Sequence, residues 1–142
     1  MEIRFQNSPL ETSKMNTAEL RAHFLITELM QAGKLKLVYS HYDRMIVGGV
    51  VPTATPIELP NESELRANYF LERRELGIIN VGGKGTVLAD GVKYEIEKLE
   101  CVYLGKGTQK VQFESHDATA PAQFYILSVP AHQTYPNTKM TK

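Results

Sequence analysis

From residue 35 onward, apolar and polar positions alternate with a period close to two, the spacing of half-buried strands. Leu35 to Ser40 alternates, Met45 to Val51 is a buried-type apolar run, and Pro52, Pro56 and Pro60 punctuate a loop after it. Further strands are predicted over Tyr69 to Glu75, Ile78 to Val81 and Gly85 to Ala89. Asp90-Gly91 is a two-residue hairpin signal that leads into Val92 to Ile96. Cys101 to Leu104, Lys110 to Ser115 and Ala122 to Val129 complete the set. Many short strands, tight turns and little helix predict an all-β sandwich or barrel.

The first 34 residues follow a different pattern. Residues 1–15 are polar, carry Pro9 and show no period, so they read as a loose N-terminal arm. Asn16-Thr17-Ala18-Glu19 is a helix start: Asn16 can cap, Glu19 can reach back to it, and Met15 can staple onto Leu20. Two continuations are open. Ala22, Leu25, Ile26, Leu29 and Met30 make a helical stripe that would carry the helix to Gly33. Alternatively the helix stops near His23 and a strand follows, pairing with Leu35 to Tyr39. At the other end, residues 130–142 carry two prolines and a polar, basic finish, and read as a linker toward something further.

Composition narrows the partners. With 142 residues the chain has the size of one domain and can bury roughly 68–70% of its unfolded surface, enough for a core without staples. Sixteen basic residues balance sixteen acidic ones, so no basic field exists to hold a phosphate backbone, and nucleic acid is not an expected partner. The single cysteine, Cys101, excludes an intrachain disulfide framework and reads as a small buried strand residue. No apolar signal region opens the chain and no stretch approaches membrane-spanning length, so a cytoplasmic protein with no membrane partner is expected.

The candidate chemistry lies in the middle of the chain. Glu75, six residues and Gly82 reproduce a spacing found in cupin barrels, whose first motif sets His-x-His ahead of a glutamate and a glycine turn. Alternate residues of one strand project to the same side, so such a pair aims two imidazoles into the barrel. Here the histidine positions fall among Asn68, Tyr69, Phe70 and Leu71, none a good metal ligand. Gly105-Lys106-Gly107 stands where the second motif has Pro-x-Gly, and Lys110 where it has histidine. The chain resembles a cupin-type (jelly-roll) barrel with a short N-terminal helix, in which residues 16–129 keep the shell and have lost the metal. No catalytic residue and no metal ligand is assigned. His23, His41, His116 and His132 form no His-x-His pair; His41 alone lies in a polar cluster, Tyr39 to Arg44, that could line a pocket or form a structural network. Gly82 to Thr86 and Gly105 to Thr108 look like phosphate loops but open no helix and read as β-turns. The run Glu72-Arg73-Arg74-Glu75 alternates across a strand, as paired charges or as a carboxylate site.

Three stretches are more specific: Val38 to Gly49, Tyr69 to Gly83 and Pro130 to Pro136. They resemble the 4-deoxy-L-threo-5-hexosulose-uronate ketol-isomerase family, also called 5-dehydro-4-deoxy-D-glucuronate isomerase. The resemblance implies a two-cupin polypeptide about twice this length, a homohexamer, and an aldose–ketose isomerisation of a uronate from pectin breakdown. It places the family's zinc in the C-terminal cupin, so residues 130–142 become a linker toward that absent half, and no metal is expected on this chain. It also favours the shorter N-terminal helix. Arg44, Arg73 and Arg74, with His41, are the candidate contacts to the uronate, because a guanidinium matches a carboxylate bidentately. The alternative is a stand-alone non-catalytic cupin module for sugar-acid binding or oligomer assembly.

Overall fold

The computed structural model describes residues 1–142. Two sheets face each other. The larger has seven strands in the order β1-β2-β3-β10-β5-β8-β11, and the smaller has four in the order β4-β9-β6-β7. The large sheet consists of β1 (Glu2–Arg4), β2 (Leu35–Ser40), β3 (Met45–Val50), β5 (Arg74–Asn80), β8 (Cys101–Leu104), β10 (Phe124–Pro130) and β11 (Thr138–Met140). The small one consists of β4 (Ile57–Glu58), β6 (Gly85–Ala89), β7 (Val92–Ile96) and β9 (Val111–Ser115). All ladders are antiparallel except β1 on β2.

Period-two patterning explains the core. On β5, Leu76 and Ile78 are fully buried, and on β10 Phe124 and Ile126 share their side. Val87 of β6 and Phe113 of β9 meet them from the small sheet. Phe113 and Phe124 close the gap with ring centroids 5.3 Å apart at 42°, within the range that favours aromatic pairs. The all-β cupin-type expectation holds, and so does the Asp90-Gly91 hairpin, in which both residues take positive φ (47° and 85°) between β6 and β7.

Elsewhere the local expectations need correction. Tyr69 to Glu75 and Ile78 to Val81 are not two strands: one strand runs Arg74–Asn80, and residues 69–73 form turns. Asn68 donates from its backbone N–H and its side chain to the Glu72 carboxylate, which bends the chain before the ladder begins. The arm is not loose. β1 pairs with β2, α1 (Pro9–Thr12) has a Ser8/Glu11 capping box, and Phe5 stacks on His41 at 4.7 Å. Residues 130–142, expected as a linker, hold β11 against β8, and Asn137 Oδ1 accepts from the Gly105 N–H at 2.8 Å.

The capping box predicted at Asn16 and Glu19 is present on α2 (Thr17–Phe24), which stops at Leu25 in extended backbone. The helix stops close to His23, as the shorter continuation expects and short of Gly33, but no strand forms between it and β2. Residues 25–34 cross the outer face of β2 and β3 instead. A Cβ at Gly49 would lie 2.2 Å from the Leu29 carbonyl oxygen, so the crossing requires glycine there. α2 buries no side chain. Cys101, expected buried, is half-buried on the outer face of β8.

Candidate functional site

The inside of the sandwich is filled by side chains. Phe70 and Leu71, at positions where metal-binding cupins carry histidine, are buried members of the core cluster. Glu75, at the motif's glutamate spacing, lies on the outer face, where it accepts from the Tyr103 hydroxyl at 2.8 Å. That contact and burial push the Tyr103 phenol up to about 12, burial contributing most. Lys110, at the second motif's histidine position, is exposed just before β9, its N–H bound to Asp90 Oδ1. No three of the chain's His, Cys, Asp and Glu side chains stand together as a metal-binding group. The residues present therefore do not fit a zinc ion.

The glycine-rich turns serve packing. A Cβ at Gly83 would fall 2.0 Å from the Ala120 carbonyl oxygen, so this turn lies against the chain entering β10. Lys84 there is ion-paired to Glu95 and Glu97 at 3.2 Å each, which raises its pKa. Asn80, wholly buried, organises the same turn. Its Nδ2 donates to the Gly83 and Ile96 carbonyls, and its Oδ1 accepts from the Gly82 and Gln123 N–H groups. Sequence reasoning passed over Asn80; an amide on the apolar side of the Leu76/Ile78 alternation was the available signal.

The three candidate arginines do come together. Arg44, Arg73 and Arg74 line one cleft of about 210 Å³, with Tyr39, Phe70 and Glu64 among its other walls. Arg74 is on the inward side of β5 and is 7% exposed. Its Nε donates to Ser128 Oγ (3.1 Å), and its Nη2 to the carbonyls of Ser128 (2.8 Å) and Arg44 (2.6 Å). The guanidinium carbon lies 5.8 Å from the centre of the Tyr39 ring. Burial, partly offset by Tyr39, lowers its pKa from the usual arginine value. Arg74 thus clamps β10 to the β2–β3 hairpin.

That hairpin is strained: Asp43 and Arg44 both take left-handed φ, at 52° and 53°. Such conformations cost about 1–2 kcal/mol per non-glycine residue, and the bond from Arg74 to the Arg44 carbonyl helps to hold this one. The turn leaves the Arg44 side chain exposed at the cleft mouth. Arg73 is exposed opposite, its Nη2 bonded to the carbonyl of Arg66, itself left-handed at φ 48°. The cleft is thus lined by three arginines and one glutamate, an excess of positive charge.

The polar cluster Tyr39 to Arg44 is divided by the fold. Tyr39 and Arg44 face the cleft, whereas Ser40, Tyr42 and Asp43 line a separate groove on the outer face. His41 joins neither and is held between Phe5 and Tyr39 in aromatic contacts. The other histidines are equally dispersed: His23 contacts the Asn7 amide, His116 the Thr86 hydroxyl, and His132 lies exposed in the tail.

The fold defines a cupin-type β-sandwich. The Cupin_2 domain of an XRE-family transcriptional regulator from Enterobacter cloacae superposes with a TM-score of 0.53 at 11% identity, over 72% of this chain and 96% of that one. More specifically, residues 24–142 match the family model for KduI/IolB, and the chain belongs to that family. A 4-deoxy-L-threo-5-hexosulose-uronate ketol-isomerase from Formosa agariphila is 50% identical over 99% of this chain and 50% of its own length. One from Caldicellulosiruptor bescii is 46% identical over 99% of this chain and 51% of its own. The chain spans about half the length of these curated relatives. No helix is long and apolar enough to cross a membrane.

Proposed function

We propose that this chain is the non-catalytic half of a 4-deoxy-L-threo-5-hexosulose-uronate ketol-isomerase. One observation carries the reading: identity near one-half runs across 99% of the chain, yet accounts for only half of the relatives. Interconverting a ketone and a neighbouring aldehyde moves a proton between adjacent carbons through an enediol-like state, which needs a positioned base and a means of polarising the carbonyl oxygens. The positions from which a cupin would supply such groups are occupied here by Phe70, Leu71 and an outward-facing Glu75. The chemistry, with the family's zinc, belongs to the other half of a two-cupin cytoplasmic polypeptide that assembles as a homohexamer.

Within this half, the cleft of Arg44, Arg73 and Arg74 is the proposed contact for the uronate carboxylate. Arg44 and Arg73 supply exposed guanidinium groups, Arg74 fixes the hairpin that presents Arg44, and His41 supports that hairpin from the side facing Phe5. Titrating the chain with galacturonate and following amide NMR shifts tests this. An open site of this kind predicts a dissociation constant on the order of 1 mM, with shifts at Tyr39, Arg44 and Arg73. Arg44→Ala and Arg73→Ala should each weaken binding about fivefold. Unchanged affinity in both variants would remove the cleft from the account.

A further inference from the structure

The outer face of the large sheet is the remaining feature with no assigned role. Strand register fixes which side chains share it, because directly paired residues in an antiparallel ladder project to the same side. One cross-strand row runs Met140, Cys101, Ile79, Tyr125 and Gly49 across β11, β8, β5, β10 and β3. The next runs Thr138, Tyr103, Gly77, Leu127 and Val47. These rows contain no charged side chain. The charged residues bordering them on this face are engaged, Glu75 by the Tyr103 hydroxyl and Lys36, opposite Gly49 on β2, by the Thr27 carbonyl.

An outer sheet face that met only water would alternate apolar with polar residues. β10 instead reads Phe-Tyr-Ile-Leu-Ser-Val, the near-continuous pattern of a strand covered on both sides. On β2 and β3 the cover is present, in residues 25–34 packed over Gly49. It stops there. Over β10, β5, β8 and β11 the face is open, leaving Ile79 42%, Leu127 36% and Met140 48% exposed.

Two arguments select the occupant. Four strands at about 4.8 Å spacing, each contributing some 16 Å of length, make a patch of roughly 300 Å² in projection. Standard untethered interfaces bury about 800 Å² of accessible surface per partner, so a face of this modest projection favours a tethered occupant over a second copy. A tethered domain needs less area, because linkage raises its effective concentration to the millimolar range. The tether is also in place: β11 is the edge strand of this sheet, and Met140 on it belongs to the open row. We infer that the open face, centred on Ile79 and Leu127, is the docking surface for the second half of polypeptide that the double-length relatives carry, a step that rests on the proposed two-half isomerase.

The test uses this chain with the second half of the Formosa agariphila relative, expressed as a separate polypeptide. Cys101 is the chain's only cysteine and lies in the open row, so its alkylation by iodoacetamide, read on the Cys101 peptide, reports cover directly. Labelling is expected to slow more than tenfold when the second half is added. Leu127→Lys and Ile79→Lys, both at exposed positions, should weaken the complex at least tenfold in sedimentation. Val92→Lys, exposed on the small sheet, should leave it unchanged. Absence of a complex, an unprotected Cys101 within a complex, or indifference to both lysine variants would overturn the proposal. So would a dimer of this chain alone that protects Cys101. Isomerase turnover by the mixture separates the two readings. Turnover with Cys101 still reactive refutes this surface and keeps the isomerase, whereas a protected complex without turnover keeps the surface and refutes the isomerase.

Discussion

Replacing Asn80 by alanine should destabilise the domain more than any surface change, and the cost can be worked from its contacts. Asn80 has no exposed surface and makes four hydrogen bonds, two donated by Nδ2 and two accepted by Oδ1. All four partners are backbone groups, so Asn80→Ala leaves two N–H groups and two carbonyls without their bond. A buried polar group left unpaired costs about 1–3 kcal/mol. Gly82, Gly83 and Gln123 are half-exposed and can partly regain water, while the Ile96 carbonyl is deeper. The expected total is about 3–4 kcal/mol, which for a domain of this size lowers Tm by roughly 8–12 °C. Urea unfolding of both proteins, with slopes compared, gives the difference. Asn80→Asp should be no better, since it loses both donors and buries a charge. A loss under about 1 kcal/mol would show that the turn does not depend on this amide.

The Tyr103–Glu75 pair gives a pH signature. The folded phenol is raised from 10.0 to about 12, so its contribution is fully present below pH 10 and is lost as pH climbs toward 12. The full shift corresponds to about 2.7 kcal/mol, and solvent screening of a half-exposed outer-face pair reduces this to about 1 kcal/mol. Tyr103→Phe should therefore lose about 1 kcal/mol at neutral pH and show a shallower stability loss above pH 10 than the parent; parallel alkaline curves would contradict the pairing. Asn16→Ala removes one side of the α2 capping box, worth about 1 kcal/mol. Because α2 buries no side chain, the effect should appear as about fivefold faster amide exchange over residues 17–24 with Tm unchanged; a lowered Tm would mean the helix is coupled to the core.

How legible each part was depends on how local its cause is. The Asp90-Gly91 hairpin, the strands on either side of it and the Asn16/Glu19 cap are set by neighbouring residues and were readable from sequence. Tyr69 to Leu71 has the composition of a strand, but Phe70 and Leu71 are drawn into the core while Asn68 and Glu72 bend the backbone, and that competition is tertiary. The helical stripe from Ala22 to Met30 failed for a related reason: α2 ends at Phe24, and Leu29 beyond it lies against Gly49 of β3. Arg44, Arg73 and Arg74 were marked by their chemistry, and the fold gathers them. Their roles were not legible, because only strand register reveals that Arg74 faces inward as a clamp while Glu75, one residue on, faces out. His41 carries the same chemical mark but does not line the cleft, and sits against Phe5 and Tyr39.

The most direct test of the central claim is a turnover assay of the purified 142-residue chain on 4-deoxy-L-threo-5-hexosulose-uronate, with zinc supplied in excess. The account predicts no isomerisation and no stoichiometric zinc retained by this chain alone, and turnover once the second half of a relative is added. Zinc-dependent turnover by the chain alone would place a working site among these residues and contradict the assignment of this half as non-catalytic.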